Sequence, residues 1–380
     1  MNNKLLFFSY DFPPLEGGIS RLCHEIVKQF IKNEWEVEAL SRKIDLEKGF
    51  NDISYPIQRV NNKRFVREIE SYKILKTYPK DTLIIVGVWH PEALLCILTG
   101  HKNVVVLAHG NDIMKGKSTF KNKILAILRK WVLTKSKLVI CNSHYTQNTI
   151  KEQFPNLNTA VCTLGVDEKR FIPIEDNSLL KKELDLPLDK KIILTISRIN
   201  KYKAHDVVLK SLALLDKDIR SQLCYCIAGR GDYLEELKKL AIELDVDDSI
   251  YWYGFIDEDD LVKLYQSSDL FVLCTREEKA EKAVEGFGLV FLEAQSCGIP
   301  VIGSNQGGIP DAIKHEDGGW IIQRDDSQTL SSYLEKLITE EEEFKKQGIK
   351  ARERVIKKAT WNHFGKKVFE KIENTKGVIV

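Results

Sequence analysis

The stretch Glu285-Gly286-Phe287-Gly288-Leu289-Val290-Phe291-Leu292-Glu293 decides how the rest of the chain is read. Eight residues on a helix span a little over two turns, so carboxylates at that spacing share a face. Gly286 and Gly288 interrupt the first half, however. The run therefore predicts a glycine-rich loop ending in a helix that starts near Leu289. Glu285 then sits in the loop and Glu293 about one turn inside the helix. Free N–H groups at such a helix start attract an anion such as a phosphate. A carboxylate on each side can accept hydrogen bonds from hydroxyls, and a ligand with hydroxyls on both sides of a phosphate is a sugar nucleotide. The alternative is an ordinary loop-to-helix junction with two solvated glutamates. Against it stand the flanking apolar runs Leu270–Leu273 and Cys297–Ile302, which read as buried parallel strands.

Outward from this run the chain alternates short apolar segments with amphipathic ones. Strands are expected at 4–9, 35–40, 83–88, 103–108, 137–141 and 159–163, then at 191–197, 223–228, 250–253, 270–274 and 299–303. Helical stretches between most of them give the alternation of parallel α/β sheets. A chain of 380 residues is long for one core and suggests two domains. The polar stretch Pro173–Asp189 is the best linker. The expectation is an α/β chain of two Rossmann-like, doubly wound domains, 1–182 and 183–360, with an inter-domain cleft and ligands at the carboxyl ends of the strands. The amphipathic segment from Trp361, a helix over about 361–380, is free to return onto the first domain, but its sequence does not place it.

Composition is that of a soluble globular protein, 43% hydrophobic and 29% charged. A net charge of +2 hides an asymmetry: through Lys182 there are 28 Lys+Arg against 19 Asp+Glu, and beyond it 29 against 36. The basic half points to an anionic partner for the first domain only. The eight cysteines form no CxxC pair and lie mostly in apolar runs, which suits buried thiols in a reducing cytosol. Leu5-Leu6-Phe7-Phe8 is too short for a signal peptide. No stretch approaches the roughly 20 apolar residues of a membrane span. Internal repeats are not visible.

Three further features bear on phosphate binding. Gly17-Gly18 precedes a helix expected from about Ser20 and allows close backbone approach to a phosphate. A plain turn explains the pair equally well, and the missing GxGxxG fingerprint argues against a dinucleotide. Gly229-Arg230-Gly231 is a weaker signal of the same kind. Arg198 and Lys203 follow the strand Ile192–Ser197, where two cations can clamp a diphosphate. The plainer reading there is a solvated basic loop. Asp245-Val246-Asp247 and Asp257-Glu258-Asp259-Asp260 resemble metal motifs but fall in acidic turns or helix starts, so no metal site is expected.

Taken together, Gly17-Gly18, His109, Asn142-Ser143, Gly165-Val166-Asp167 with Arg170-Phe171, Arg198 with Lys203, Glu285 to Glu293, and Gly307-Gly308-Ile309-Pro310-Asp311 resemble retaining glycosyltransferases of family 4, with their GT-B fold. The resemblance runs over nearly the whole chain. Leu273–Ile313 is most similar to phosphatidylinositol mannoside mannosyltransferases, a segment shared with many surface-polysaccharide enzymes. The resemblance implies that Arg198 and Lys203 hold the donor diphosphate and that Glu285 binds hydroxyls of the transferred sugar. It gives Glu293 the ribose hydroxyls and the backbone of Gly288, Leu289 and Val290 further donor contacts. Gly17 and Gly18 would close on the phosphate, and His109 would lie near the reacting bond, although a structural strand-end histidine accounts for His109 alone. Gly229, Phe255 and Phe287 complete the expected donor contacts. The family often has glycine where Ser197 and Ala204 stand, a departure confined to local backbone geometry.

The implied activity is metal-independent transfer of a hexose from GDP-mannose or a UDP-hexose, with no cofactor, to a glycan or lipid-linked acceptor in bacterial surface polysaccharide, lipopolysaccharide or glycolipid synthesis. With no carboxylate evident as nucleophile, front-side displacement is the expected route to retention. The rivals are a non-catalytic sugar-nucleotide-binding subunit and a GT-B nucleotide-sugar 2-epimerase. Residues 101–140 hold nine basic residues and one acidic one. On a helix from about Ser118, Phe120, Ile124, Ile127, Leu128 and Trp131 form an apolar stripe, with Lys123, Arg129, Lys130 and Lys137 mostly away from it. Residues 115–137 either lie on anionic lipid at the inner face of the cell membrane or pack in the core behind a solvated basic face. No nucleic-acid motif accompanies the charge, and a cytoplasmic location is expected.

Overall fold

The structure, a computed structural model, describes residues 3–15, 18–44, 54–114, 120–278 and 283–376. It divides into two compact units, one built from Met1–Leu164 with Trp361–Val380, the other from Gly165–Lys279 with Ala283–Thr360.

Strands of the first unit are β1 (Lys4–Phe8), β2 (Glu36–Arg42), β3 (Ile57–Val60), β4 (Leu83–Val86), β5 (Val104–Ala108), β6 (Leu138–Cys141) and β7 (Thr159–Val161). They form one parallel sheet in the order β3-β2-β1-β4-β5-β6-β7. The central strands are apolar throughout because helices cover both faces: β4, β5 and β6 are buried at every residue. The helix Gly18–Lys32 turns Leu22, Ile26, Val27 and Phe30 inward. The final helix, Trp361–Lys376, packs against it, with Phe369 edge-on to Phe30 at 5.3 Å.

The second unit carries β8 (Lys191–Ile196), β9 (Leu223–Ala228), β10 (Ile250–Gly254), β11 (Leu270–Leu273), β12 (Val301–Ser304) and β13 (Gly319–Ile322), parallel in the order β10-β9-β8-β11-β12-β13. Two strands went unread in the sequence, β3 and β13. Both lie at a sheet edge, where Gln58 and Arg59 or a leading glycine blur the apolar signal. Ile299 and Pro300 precede β12 rather than belong to it. The expected linker lies within the second unit and contains a short helix, Ser178–Glu183.

In each sheet the chain lays strands to one side of the first and then returns to its other side. The switch falls between β1 and β4 in one unit and between β8 and β11 in the other. Loops leaving neighbouring strands diverge there and open a crevice at the carboxyl ends. All eight cysteines are free and buried. No described helix is long and apolar enough to cross a membrane.

Candidate functional site

In the second unit the loop after β11 descends to Gly288, whose φ of +94° ends the loop in a left-handed turn, and the helix Leu289–Ser296 begins at the next residue. Its N-cap residue, Gly288, makes no side-chain cap. Close approach from below holds the loop. Gly308 donates its N–H to the Glu285 carbonyl at 2.8 Å, and a Cβ at Gly308 would stand 2.0 Å from the Gly286 carbonyl oxygen. Only glycine fits there.

The acidic and basic residues singled out in sequence converge. Lys203 Nζ lies 2.6 Å from Glu285 Oε2, with side chains 11% and 18% exposed. Burial works against the Lys203 charge, but the Glu285 carboxylate outweighs it and leaves the ammonium pKa above its ordinary value. Arg198 is exposed at the end of β8, its guanidinium reaching the Tyr202 hydroxyl at 3.4 Å. One turn into the helix, Glu293 Oε2 accepts the hydroxyl hydrogen of the buried Tyr265 at 2.8 Å, which orients the carboxylate. Gly229 follows β9 and donates to the Gly254 carbonyl at 2.6 Å, bringing the two loops side by side. Beyond them Phe255 is 62% exposed under the Arg230 guanidinium. The Phe287 side chain is buried, so it presents backbone only.

Sequence reasoning missed Arg276, which leaves β11 as Arg198 leaves β8. Its Nη1 and Nη2 bind both oxygens of Asp206 at 2.8 Å each, and its Nε meets Asp325. It also donates from its backbone to the Tyr202 carbonyl at 2.7 Å and from Nη1 to the Lys201 carbonyl at 3.2 Å. Arg276 therefore fixes the loop that carries Lys203. Burial alone would raise the Asp206 pKa; the hydrogen bonds and charge of Arg276, with Lys210, outweigh it and hold the carboxyl below its usual range. A basic residue three positions past the end of a buried strand was the available signal.

In the first unit Gly18 is the first residue of its helix, while Gly17 lies outside the described residues. The turn leading there is strapped by charged groups that also escaped the sequence: Arg42 Nε donates to the Tyr10 carbonyl at 3.2 Å, Arg59 to the Pro13 carbonyl, and Tyr10 N–H to Glu92 Oε1 at 3.2 Å. Burial pushes the Glu92 carboxyl up to about 7. His109 follows β5. Its Nε2 lies 2.7 Å from the Gly87 carbonyl, which can only accept, so Nε2 carries the hydrogen.

Three carboxylates of the acidic runs have structural partners. Asp257 caps the helix Glu258–Gln266, Asp260 accepts from Tyr253, and Asp245 pairs with Lys217 and Arg220. The helix Phe120–Lys135 departs from expectation in two respects: Leu128, expected in the apolar stripe, packs against the core, and Arg129 is buried, donating to the Met114 carbonyl and to Gln153. Its core face is Leu125, Leu128, Val132 and Leu133. The stripe formed by Phe120, Ile124, Ile127 and Trp131 is instead 80, 50, 71 and 40% exposed. Residues 115–119 of the expected contact lie outside the described residues.

Two family models cover most of the chain: Glycosyltransferase Family 4 matches residues 16–170 and Glycosyl transferases group 1 matches residues 176–359. The GDP-mannose-dependent alpha-(1-6)-phosphatidylinositol monomannoside mannosyltransferase of Mycolicibacterium smegmatis is 23% identical over 96% of this chain and 97% of its own length. N-acetyl-alpha-D-glucosaminyl L-malate synthase of Bacillus anthracis is 29% identical over 66% of this chain and 62% of its own. Among solved structures, Anabaena Alr3699/HepE in complex with UDP superposes with a TM-score of 0.78 at 18% identity, covering 98% of this chain and 100% of that one. Sucrose-phosphate synthase from Thermosynechococcus elongatus gives 0.78 at 18% identity, over 98% and 99%.

Replacing Arg276 by alanine leaves the Asp206 charge buried without its main partner, and a loss of about 3–5 kcal/mol in urea unfolding is expected. A carboxyl with a depressed pKa stabilises the fold above its unfolded pKa, and that contribution fades as pH falls through the folded value. Acid unfolding of Arg276→Ala should therefore begin at a higher pH than in the parent, measured by circular dichroism.

Proposed function

Since the chain is a nucleotide-sugar glycosyltransferase of the family 4 type, built on the GT-B fold, we propose that it moves a hexose from GDP-mannose or a UDP-hexose, with retention of configuration and without metal or cofactor, to a glycan or lipid-linked acceptor in bacterial surface polysaccharide, lipopolysaccharide or glycolipid synthesis. The observation that carries the donor assignment is the 2.6 Å approach of Lys203 to Glu285. A ligand whose diphosphate reaches Lys203 necessarily brings its next group to Glu285, a carboxylate suited to sugar hydroxyls. Arg198 completes the clamp on the diphosphate. The N–H groups of Gly288, Leu289 and Val290 take further donor oxygens, and Glu293, held by Tyr265, takes the ribose hydroxyls. Gly229 and Phe255 face the base. Gly18 and His109 keep, within this proposal, the roles that the family resemblance gives them.

Breaking the anomeric C–O bond sends its electron pair to the diphosphate while positive charge builds on the sugar. Two preorganised cations stabilise the departing group, each such donor contributing about 3 kcal/mol; they supply the charge for which other enzymes use magnesium. The acceptor oxygen bonds to the same face of the anomeric carbon, and its proton passes to the departing phosphate. Glu285, paired with Lys203, is an acceptor of hydroxyl hydrogens rather than a nucleophile in this scheme. Isolation of a covalent glycosyl-enzyme would overturn it.

The acceptor side includes an anionic lipid surface. On the helix Phe120–Lys135 the exposed apolar stripe is flanked at 100° per residue by exposed Lys123 and Lys130 on one side and Lys135 on the other. Lysines so placed can rest their ammonium groups among phosphates while the stripe enters the acyl boundary. This supports a cytoplasmic enzyme working at the inner face of the cell membrane.

Calorimetry with GDP, UDP and ADP in EDTA should show one preferred nucleotide, with affinity at least tenfold lower in Arg198→Ala and Glu293→Ala. Absence of binding to every nucleotide by the folded protein would overturn the donor assignment. Phe120→Ser/Ile127→Ser should lose cosedimentation with phosphatidylglycerol vesicles at low salt while nucleotide affinity is unchanged. Equal sedimentation of parent and variant would remove the lipid contact.

A further inference from the structure

The loop Ser197–Ala204 holds both clamp cations, and its two ends are joined by a side-chain link. Ser197 follows β8, and His205 opens the helix His205–Ala213. Ser197 Oγ and His205 Nε2 are 3.1 Å apart. On its other side His205 Nδ1 meets the Tyr225 hydroxyl at 3.1 Å, Tyr225 meets Thr195 Oγ1 at 3.0 Å, and Thr195 Oγ1 donates to the Val272 carbonyl. At the outer end Ser197 Oγ lies 3.1 Å from the Arg198 carbonyl. Five links thus run between two carbonyl oxygens, one inside β11 and one on the clamp loop.

Carbonyls only accept, so the links must be filled by hydrogens of the four groups between them. Three hydroxyls and a neutral imidazole supply four, one fewer than the links. His205 is 1% exposed, and burial, together with the neighbouring Lys203 ammonium, pushes its pKa down to about 4, so the imidazole is neutral near pH 7. Thr195, Tyr225 and His205 are buried, and a buried link without a hydrogen is unfavourable. The Ser197–Arg198 contact is the exposed one, where water can donate to the carbonyl instead. The empty link therefore falls there. Thr195 donates to Val272, Tyr225 to Thr195, His205 Nδ1–H to Tyr225, and the Ser197 hydroxyl to His205 Nε2.

We infer that His205 is a positioning residue for the diphosphate clamp: held as its Nδ1–H tautomer by Tyr225, it binds the Ser197 hydroxyl through Nε2 and closes the base of the loop that presents Arg198 and Lys203. The Arg198 carbonyl also lies near the ring, but an Nε2–H donating to it would make Nδ1 an acceptor and leave the buried Tyr225–Thr195 link without a hydrogen. The charged groups around His205 are engaged elsewhere. Lys203 is paired with Glu285, and Asp206 is taken by Arg276 and Lys210. Serine stands here where the family resemblance often has glycine, so the tie replaces a freely turning residue with one anchored to the sheet.

The inference rests on the donor assignment above, and the test separates the two. Long-range proton–nitrogen NMR of histidine-labelled protein without ligand should show His205 as the Nδ1–H tautomer at pH 7, shifting toward Nε2–H in Tyr225→Phe. Calorimetry with UDP and GDP should then give about five- to tenfold weaker binding of the preferred nucleotide in Ser197→Gly and in His205→Leu. The double variant should be no weaker than the worse single one. An Nε2–H tautomer in the parent overturns the relay. Parent-like nucleotide affinity in Ser197→Gly overturns the positioning role, whatever happens to stability in His205→Leu. Failure of the parent to bind either nucleotide strikes the donor assignment and leaves the tautomer test standing.

Discussion

An ammonium group held out of water beside a carboxylate is the constraint around which the second unit is built. Desolvating Lys203 and Glu285 is unfavourable by several kcal/mol for each ion, and their attraction offsets it only at close and lasting range. Two loops from strands on either side of the switch must therefore be held in fixed relation. Each of the surrounding features contributes to that end. Arg276 pins the Lys203 loop through two carbonyls and Asp206. Gly308 lets the next loop lie against the one bearing Glu285. The polar chain through His205 fastens the start of the Lys203 loop to the strand beneath.

How much of this was legible in the sequence depends on how local each feature is. The glycine-rich loop, the helix beginning at Leu289 and the depth of Glu293 within it follow from neighbouring residues, and they stand as expected. The parallel two-sheet plan follows from apolar runs that central strands need on both faces. Edge strands lack that need, which is why β3 and β13 passed unnoticed. The pairing of Lys203 with Glu285 spans 82 residues and the tie from Arg276 to Asp206 spans 70. Lys203 and Glu285 read as separate charges in sequence and Arg276 was not read at all; only the strand order brings the partners together. Arg42, Arg59 and Glu92 escaped for a different reason: they bind backbone, and no pattern of residue types records a backbone partner.

The helix Phe120–Lys135 shows where periodicity stops being informative. Two apolar stripes run along it, and a hydrophobic pattern reveals both without saying which is buried. Val132 and Leu133 face the core, while the more conspicuous aromatic stripe faces out. Arg129 decides between them. Its guanidinium finds the Met114 carbonyl and Gln153 inside, so a residue counted with the basic face turns out to fix the core face.

A site made largely of backbone has a consequence for how it can vary. The helix start offers N–H groups whatever side chains it carries, and the Gly229–Gly254 contact is likewise main chain. In the proposed donor reading, side chains are required only where charge must be placed or a hydroxyl oriented, at Arg198, Lys203, Glu285 and Glu293. On that reading, substitution elsewhere would change which base or sugar fits without disturbing the clamp, provided that the loop bases stay closed. Ser197 and His205 belong to that second requirement. They touch the backbone that carries the charge and not the charge itself, so their contribution should grow with the looseness of the loop they close. Arg276 already holds the far side of that loop. The tie at Ser197 would therefore act chiefly on Arg198, the proposed clamp residue that no ion pair restrains among the described residues.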